Sequence, residues 1–276
     1  MNTLTAVKIA VTVSAYDNWH ALDLTLLGLR MQTYRPFEVM VAEDSEFPQV
    51  AEVVAKHAAL APFPLRHVRQ ADQGFRKCRI LNRAIEAATS DFLVFTDADC
   101  IPRADLLAAY SRLARPGHFI SSGSHVNLPE TFHRHRLTSE MITTQQVFDR
   151  RFLASQGVAT PWSRMLPSGP LVRLLDVLTP RNAFVGNNSG AWRADLLQVA
   201  GFDEAMSYGG EDRNLGIRLN HAGVRGLRAR HSLVCLHLDH ARSYRHESVV
   251  RANRDWNRRL ARDVQTLPRQ SLLLTE

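Results

Sequence analysis

The sequence predicts an α/β fold in which helices cover both faces of a mostly parallel central sheet. Through about residue 100, short apolar runs rich in β-branched residues alternate with segments of helical periodicity. Polar residues directly follow three of these runs, and the carboxyl ends of parallel strands form one sheet edge, where ligands bind. With 276 residues, 45% of them hydrophobic, the chain is long enough to bury a sizeable core.

The first 103 residues are expected to contain a series of strands separated by helices. The strand candidates are VKIAVTVSAY (7–16), FEVMVAED (37–44), LRHVRQ (65–70) and DFLVF (91–95). Between the first two, leucines recur at helical spacing after Asn18, a candidate N-cap, which predicts a βαβ unit. After Gly74, apolar residues that include Cys78, Leu81 and Ile85 share one helical face and predict a further helix.

The periodic pattern weakens after residue 103. The run HFISSGSHVN (118–127) indicates a strand, whereas 128–181 has no clean period and is predicted to be an insertion of short helices and loops. Leu215 and Leu219 then mark a helix that ends at Gly223, and SLVCLHLDH (232–240) is a strand that ends in histidines. The segment 243–265 reads as a polar helix with six arginines. We treat 1–276 as a single domain with a basic tail, 243–276.

Charge and cysteine content narrow the classes of partner and compartment. The net charge of +7 and a pI near 9.8 favour acidic partners such as phosphorylated small molecules, anionic lipid or nucleic acid. Three scattered cysteines give neither a disulfide framework nor a zinc motif, and they favour a reducing cytoplasm. Lys8 interrupts the apolar start, which we interpret as a strand. No apolar run reaches about 18 residues, so any membrane contact is expected to be peripheral.

The motif FTDADC places Asp97 and Asp99 at the end of an apolar run. Side chains two apart on an extended segment point the same way, so the two carboxylates could share one ligand or one cation. A hard divalent ion such as Mg²⁺ or Mn²⁺ would relieve their repulsion. A solvated turn that caps the following helix accounts for the pair equally well.

The motif GGED, residues 209–212, offers a second pair of acids. Its glycines permit an unusual loop, and Glu211 and Asp212 begin a helix, where the macrodipole favours negative charge. A carboxylate beside a substrate can act as a general base, and simple helix capping is the alternative. In HLDH, His237 and His240 lie three apart on a predicted strand and should face opposite sides, so at most one is expected to join a site.

The basic cluster RKCR opens a helix after Gly74. Arg76, Lys77 and Arg79, together with the amides of a helix start, can bind an anion, most naturally a phosphate. A solvated helix face is the alternative for each residue taken alone.

In this order, the motifs resemble the family 2 glycosyltransferases of the GT-A fold. The similarity covers most of the chain, from VTVSAYDNW and the basic helix through FTDADC to GNNSGAW and YGGED. The last two segments also resemble the galactosyltransferase and chondroitin-polymerase branch. The resemblance implies transfer of a sugar from a nucleoside-diphosphate sugar, with UDP expected, to a glycan or lipid-linked glycan in bacterial surface polysaccharide synthesis. It implies a nucleotide-sugar half, 1–103, and an acceptor half, 104–242.

The resemblance also implies roles for individual residues. Asp212 would be the catalytic base of an inverting displacement, with Glu211 orienting the acceptor. Asp99 would bind Mn²⁺ or Mg²⁺, with His237 the better fit to the later metal ligand and His240 the second choice. The nucleotide-sugar contacts would be Ser14, Tyr16, Asp44, Arg76 and Asp97, and the acceptor contacts Asn187, Asn188, Trp192 and Gly210. Ser14 and Glu43 depart mildly from the family's usual residues.

Two other functions fit parts of the sequence. A haloacid-dehalogenase-like phosphatase carries Asp-x-Asp after a strand, but there it lies on the first strand and a Thr-type residue usually follows. A basic surface-binding protein would use the net charge and the arginine-rich tail. No recognition motif for nucleic acid is present, so none is expected as a partner, and the tail's arginines fit an anionic membrane surface better.

Overall fold

The computed structural model describes residues 6–122, 125–179, 183–240 and 246–274. Its strands are β1 (Ile9–Ala15), β2 (Phe37–Glu43), β3 (Leu65–Arg69), β4 (Phe92–Asp97), β5 (Cys100–Pro102), β6 (His118–Ser121), β7 (Val126–Leu128), β8 (Asn188–Trp192), β9 (Arg225–Arg228) and β10 (Cys235–Leu238).

Helices and short helical turns connect these strands. The α-helices are α1 (Trp19–Arg30), α2 (Pro48–Ala58), α3 (Lys77–Ala87), α4 (Leu106–Leu113), α5 (Glu130–His133), α6 (Ser139–Thr143), α7 (Arg150–Ser155), α8 (Pro170–Leu178), α9 (Arg193–Gln198), α10 (Glu211–His221) and α11 (Glu247–Leu260). Short 3₁₀ turns span Gln146–Phe148 and Trp162–Arg164. None of these described helices is long and apolar enough to cross a bilayer.

The central sheet has seven strands in the order β3-β2-β1-β4-β8-β6-β9. Strands β1 to β4 are mutually parallel where they pair, β8 runs antiparallel to both β4 and β6, and β9 is parallel to β6. The predicted α/β fold with a mostly parallel sheet is therefore confirmed. The carboxyl ends of β1, β2 and β4 meet at one edge.

Two apolar layers cover this sheet, one on each face. In β1, Val11 and Val13 pack into the layer formed with α1, α2 and α4, whereas Ala10 belongs to the layer formed with α3 and α10. Alternate residues of a strand face opposite sides of a sheet, so burial on both faces requires the nearly unbroken apolar runs seen in the sequence.

A second, three-stranded sheet lies beside the DxD segment. Its strand β10 pairs antiparallel with β5 and parallel with β7. Residue His237 is paired with Cys100, directly after the second aspartate of the motif. The apolar packing of this sheet includes residues of the 128–181 insertion such as Phe132 and Leu153. The C-terminal strand is therefore positioned against the DxD segment.

Some details of the sequence prediction are confirmed and others change. Asn18 caps α1 as expected, since its side-chain oxygen accepts a hydrogen bond from Ala21 N at 3.2 Å. Helix α2 was not anticipated, and HFISSGSHVN divides into β6 and β7, which belong to different sheets. The insertion contains short helices, as predicted, over its described part, 128–179. The tail helix begins at Glu247, and the predicted start at 243–245 lies outside the described residues.

Candidate active site

A cleft of about 820 Å³ opens at the edge where β1, β2 and β4 end. Most residues predicted to form a site line it, from both halves of the chain. They are Ser14, Tyr16, Asp44, Asp97, Asp99, Asn187, Gly210, Glu211, Asp212, His237 and His240. Arg76, Asn188 and Trp192 do not line the cleft.

The two aspartates of the DxD motif have different partners. The Oδ1 atom of Asp97 accepts hydrogen bonds from Ser14 Oγ and Lys77 Nζ, both at 2.6 Å. Strand β4 ends at Asp97, and Asp99 lies in the following turn. Both carboxylates line the same cleft, but their protein partners differ, because the period of two holds only within a strand. Asp97 faces α3, and Asp99 faces β10.

Asp99 lies between two histidines from the second sheet. Its Oδ2 atom is 3.5 Å from His237 Nε2 and 2.9 Å from His240 Nε2. Burial alone would raise the pKa of Asp99, but hydrogen bonds with the two imidazoles hold it well below its usual range. The expectation that only one histidine could join the site is wrong, because β10 ends at Leu238 and the chain turns before His240.

The Asp99, His237 and His240 side chains can hold a divalent metal ion. Their candidate ligand atoms all lie within 4.8 Å of one another. His237 is only 4% exposed, and its Nδ1 has no hydrogen-bond partner among the described residues, so the ring has unused coordinating capacity. Mg²⁺ strongly prefers oxygen ligands, whereas imidazoles suit transition metals. This mixed set of nitrogen and oxygen donors fits a divalent metal ion.

Asp44 forms the opposite end of the cleft. It is 5% exposed and accepts hydrogen bonds from Gln70 Nε2 at 2.6 Å and from the Arg76 backbone N–H at 2.7 Å. Burial raises the pKa of Asp44, and these hydrogen bonds offset only part of that effect. Tyr16 lies nearby, 44% exposed, with its hydroxyl donating to Asp72 at 3.0 Å.

Lys77, rather than Arg76, is the cation that the basic helix contributes to the cleft. The Arg76 guanidinium donates to the carbonyl of Ala71 at 2.7 Å and does not line the cleft. Burial lowers the pKa of Lys77, but the charges of Asp97 and Glu211 outweigh it and raise that pKa above its usual value. Lys77 therefore remains an ammonium at neutral pH. The sequence marked this cluster as basic but did not show which side chain faces inward.

The GGED motif begins α10 with a backbone that favours glycine. Gly209 and Gly210 have φ angles of 108° and 95°. The Gly209 N–H donates to Glu211 Oε2 at 2.8 Å, and the Gly186 N–H donates to Asp212 Oδ2 at 3.0 Å. Burial and then the charge of Asp212 raise the pKa of Glu211 to about 7, and burial raises that of Asp212.

Helix α11 supports this loop from outside the cleft. Asn257 Nδ2 donates to the Gly210 carbonyl at 2.8 Å, and Asn257 Oδ1 accepts from Asn214 Nδ2 at 3.1 Å. One turn earlier, Asn253 Nδ2 donates to the Ser207 carbonyl at 3.0 Å. The tail was predicted as a basic surface helix, but its asparagine face is buried and fixes the loop before Glu211.

The acceptor residues predicted from GNNSGAW separate into two groups. Asn187 lines the cleft, with its amide 2.6 Å from Nδ1 of His125, a residue that the sequence did not single out. The buried Asn188 side chain accepts from Tyr110 and donates to the Leu233 carbonyl. Because β8 runs antiparallel to β4, Trp192 pairs with Phe92 at the opposite sheet edge. Asn188 and Trp192 therefore do not line the cleft.

Comparisons with known proteins show which family this chain is similar to. The family model described as "Glycosyl transferase family 2" matches residues 10–165, more than half of the chain. An uncharacterized glycosyltransferase, YfnE, of Bacillus subtilis is 25% identical over 89% of this chain and 68% of its own length. Chondroitin synthase of Pasteurella multocida is 25% identical over 77% of this chain. Validoxylamine A glucosyltransferase of Streptomyces hygroscopicus is 29% identical over 78% of it.

The chain spans 23% of the chondroitin synthase and 48% of the validoxylamine A glucosyltransferase. Among solved structures, a mannosyltransferase of Pyrobaculum calidifontis in complex with GDP-Man and Mn²⁺ superposes with a TM-score of 0.60. The two chains are 21% identical, and the match covers 87% of this chain and 59% of the other. This similarity confirms the GT-A fold.

We predict that Mn²⁺ stabilises the folded chain and that Asp99→Ala abolishes the effect. A ligand that binds only the native state adds about 2.7 kcal/mol at about 100 times its Kd. The measurement is the shift in Tm on adding Mn²⁺, compared between wild type, Asp99→Ala and Asp91→Asn. Asp91 is an exposed carboxylate at the far end of β4, so its variant should respond like wild type. An unchanged Mn²⁺ response in Asp99→Ala would remove Asp99 as a ligand.

Proposed function

Because the chain belongs to glycosyl transferase family 2, we propose that its cleft transfers a sugar from a nucleoside-diphosphate sugar to a hydroxyl of a glycan or lipid-linked glycan. One observation carries the proposal. A single cleft combines the carboxylates of Glu211 and Asp212, in the first turn of α10, with two further groups. These are Asp99, which contacts two histidines, and Lys77 of α3, which contacts Asp97 at the end of β4. This grouping supports a base, a leaving-group site and a donor site within one cleft.

The donor would enter at the ends of β1 and β2, within the nucleotide-sugar half, 1–103. Asp44 is a buried carboxylate held by Gln70, and it can accept a ring N–H of a nucleobase. Uracil and guanine both offer such a donor. UDP-sugars are the expected substrates, and the mannosyltransferase neighbour in complex with GDP-Man makes GDP-sugars the comparison to test. Ser14 supports this end indirectly, because its hydroxyl fixes Asp97.

The diphosphate would lie between Lys77 and Asp99. The Lys77 ammonium offers a hydrogen-bond donor and a positive charge beside Asp97. Asp99, His237 and His240 would hold Mn²⁺, which when bound supplies Lewis-acid stabilisation of the leaving diphosphate. The metal in the mannosyltransferase neighbour supports this assignment.

Asp212 would act as the general base toward the acceptor hydroxyl. Its Oδ2 is oriented by the Gly186 N–H, and burial raises its pKa, which makes the carboxylate a stronger base. The hydroxyl proton moves to Asp212 as the acceptor oxygen attacks the anomeric carbon. The bond from that carbon to the diphosphate breaks on the opposite face, so the configuration inverts. Glu211, with a pKa of about 7, would orient the acceptor hydroxyl.

The acceptor would occupy the side formed by residues 104–242. Asn187 and Gly210 line this part of the cleft, and Glu130 and Arg134 reach it from the start of the insertion. The relatives include a chondroitin synthase and a hyaluronan synthase, enzymes named for polymers of sugars, which supports a glycan acceptor. Synthesis of a bacterial surface polysaccharide is the role proposed here.

The setting proposed for this reaction is the cytoplasm, at its boundary with the membrane. Cys78, Cys100 and Cys235 are all free thiols, which a reducing compartment preserves. Lipid-linked acceptors would place the enzyme at an anionic membrane surface. Neither the phosphatase nor the basic binding protein is retained, since the family match covers the DxD strand and Asp99 is engaged by two histidines.

We predict that Asp212→Asn lowers turnover at least about a hundredfold while the donor still binds, because only the proton acceptor is lost. The donor is first identified by a thermal-shift panel of nucleotide sugars with Mn²⁺. Turnover and donor-induced stabilisation are then measured for Asp212→Asn, with the exposed Asp91→Asn as the matched control. Near-normal turnover of Asp212→Asn would remove Asp212 as the base.

We predict that Asn257→Asp lowers kcat about tenfold without changing donor-induced stabilisation. The substitution removes the amide that donates to the Gly210 carbonyl and places a carboxylate opposite that carbonyl. Because Asp212 is then positioned less well, the activation free energy should rise by about 1.4 kcal/mol, which is a tenfold lower kcat. Asp255→Asn, at an exposed site on the same helix, should leave kcat unchanged. Equal kcat values for both variants would show that α11 does not position the base.

A further inference from the structure

Helix α8, in the insertion, exposes an apolar face that the cleft does not use. Leu171, Leu174, Val177 and Leu178 are 53%, 56%, 73% and 68% exposed. Residues three and four apart lie on one side of a helix, so these four side chains form a continuous strip. Trp162, in the 3₁₀ turn that precedes α8, is 56% exposed. Large apolar side chains grouped in this way mark an interaction surface.

The opposite face of α8 is anchored firmly to the protein. Asp176 accepts hydrogen bonds from Ser232 Oγ and from the His231 backbone N–H, both at 2.6 Å. The His231 ring Nδ1 lies 2.9 Å from the carbonyl of Ser163, next to Trp162. Val172, on the same side as Asp176, is buried. His231 thus holds α8 and the Trp162 turn together, and the exposed strip belongs to a fixed helix.

A basic cavity adjoins the start of α8. Its volume is about 270 Å³, and its lining includes Arg112 and Arg173. Among the residues that the structure describes, no carboxylate lies within ion-pair distance of either guanidinium. The Ser168 and Ser232 hydroxyls at its wall already donate to Asp105 and Asp176. The cavity therefore presents two guanidinium groups, neither in an ion pair with a described carboxylate, beside an apolar strip.

We propose that Trp162, Leu171, Leu174, Val177 and Leu178, together with Arg112 and Arg173, form a docking surface for an anionic lipid bilayer. This set is called the α8 surface. The apolar side chains would enter the boundary between headgroups and acyl chains, and the arginines would contact lipid phosphates. An exposed tryptophan beside basic residues fits the same interface. The net charge of +7 adds long-range attraction.

The α8 surface suits this role better than the arginine-rich tail. The exposed side of α11 carries Arg251, Arg254 and Arg258, but no large apolar side chain of that helix is exposed. Its buried side supports the GGED loop. Charge without apolar insertion gives only weak, salt-sensitive adsorption. The proposal goes beyond the transfer reaction and does not depend on it.

The test is co-sedimentation of the full chain with phosphatidylcholine vesicles, with and without phosphatidylglycerol, in the absence of any nucleotide sugar. Wild type should bind the vesicles that contain phosphatidylglycerol. Leu174→Asp and Val177→Asp should each bind about tenfold more weakly, since each removes an exposed aliphatic group that the bilayer would bury. Arg173→Gln should bind about fivefold more weakly. All three side chains are exposed, so the Tm of each variant should match wild type.

Arg254→Gln is the matched control, because it removes a charge from the tail and leaves the α8 surface intact. It should bind within about twofold of wild type, since Arg254 lies on α11 and would not contact lipid phosphates. Absence of binding by wild type overturns the proposal, as does equal binding by wild type and the α8 variants. A fall in binding only for Arg254→Gln would assign the contact to the tail. If the Leu174→Asp variant changes oligomeric state and leaves vesicle binding intact, the strip contacts a second copy instead.

Discussion

The contact between Lys77 and Asp97 at the end of β4 is the interaction on which the rest of the cleft depends. The cleft gathers the carboxylates of Asp97, Asp99, Glu211 and Asp212. Burial, and then the like charge of Asp212, raise the pKa of Glu211 to about 7, so the grouping of these carboxylates carries a cost. The ammonium of Lys77, 2.6 Å from Asp97, also attracts the charges of Glu211 and Asp212. It makes this density of negative charge compatible with folding.

This charge arrangement also suits the proposed chemistry. A leaving diphosphate brings additional negative charge, and it needs positive partners that are already in place. Lys77 provides one, and the Asp99 and histidine cluster can hold another in the form of a metal ion. The carboxylates on the opposite wall remain available to accept a proton. In the proposed reaction, Lys77 and the bound metal ion would face the leaving group, and Glu211 and Asp212 would face the acceptor.

The C-terminal elements complete a site that the first half of the chain begins. Strand β10 pairs with β5 and places His237 and His240 against Asp99. Helix α11 fixes the Gly210 carbonyl through Asn257. The family match ends at residue 165, so these supports lie beyond it. Substitutions in the tail should therefore affect the chemistry and not only the surface.

Sequence reasoning recovered the fold and most of the cleft, because strand ends are visible as the points where apolar runs stop. Asp44, Asp97 and Asp99 were found in this way. The resemblance assigned the nucleotide contact to Arg76, whereas Lys77 lines the cleft. The sequence could not show this, because the rotation of a helix start about its axis depends on packing. Trp192 was misplaced because the direction of β8 is set by its pairing with β4, which no local pattern encodes. The asparagine face of α11 carried no signal, since a polar residue on a predicted surface helix is ordinary.

The most direct test of sugar transfer by single displacement is the configuration of the sugar released when water replaces the acceptor. The chain, Mn²⁺ and the nucleotide sugar that stabilises it are incubated without acceptor, and proton NMR follows the free sugar before its anomers equilibrate. Displacement assisted by Asp212 predicts that the first anomer released has the configuration opposite to that of the donor. Release of the anomer with the donor's own configuration would contradict the single displacement.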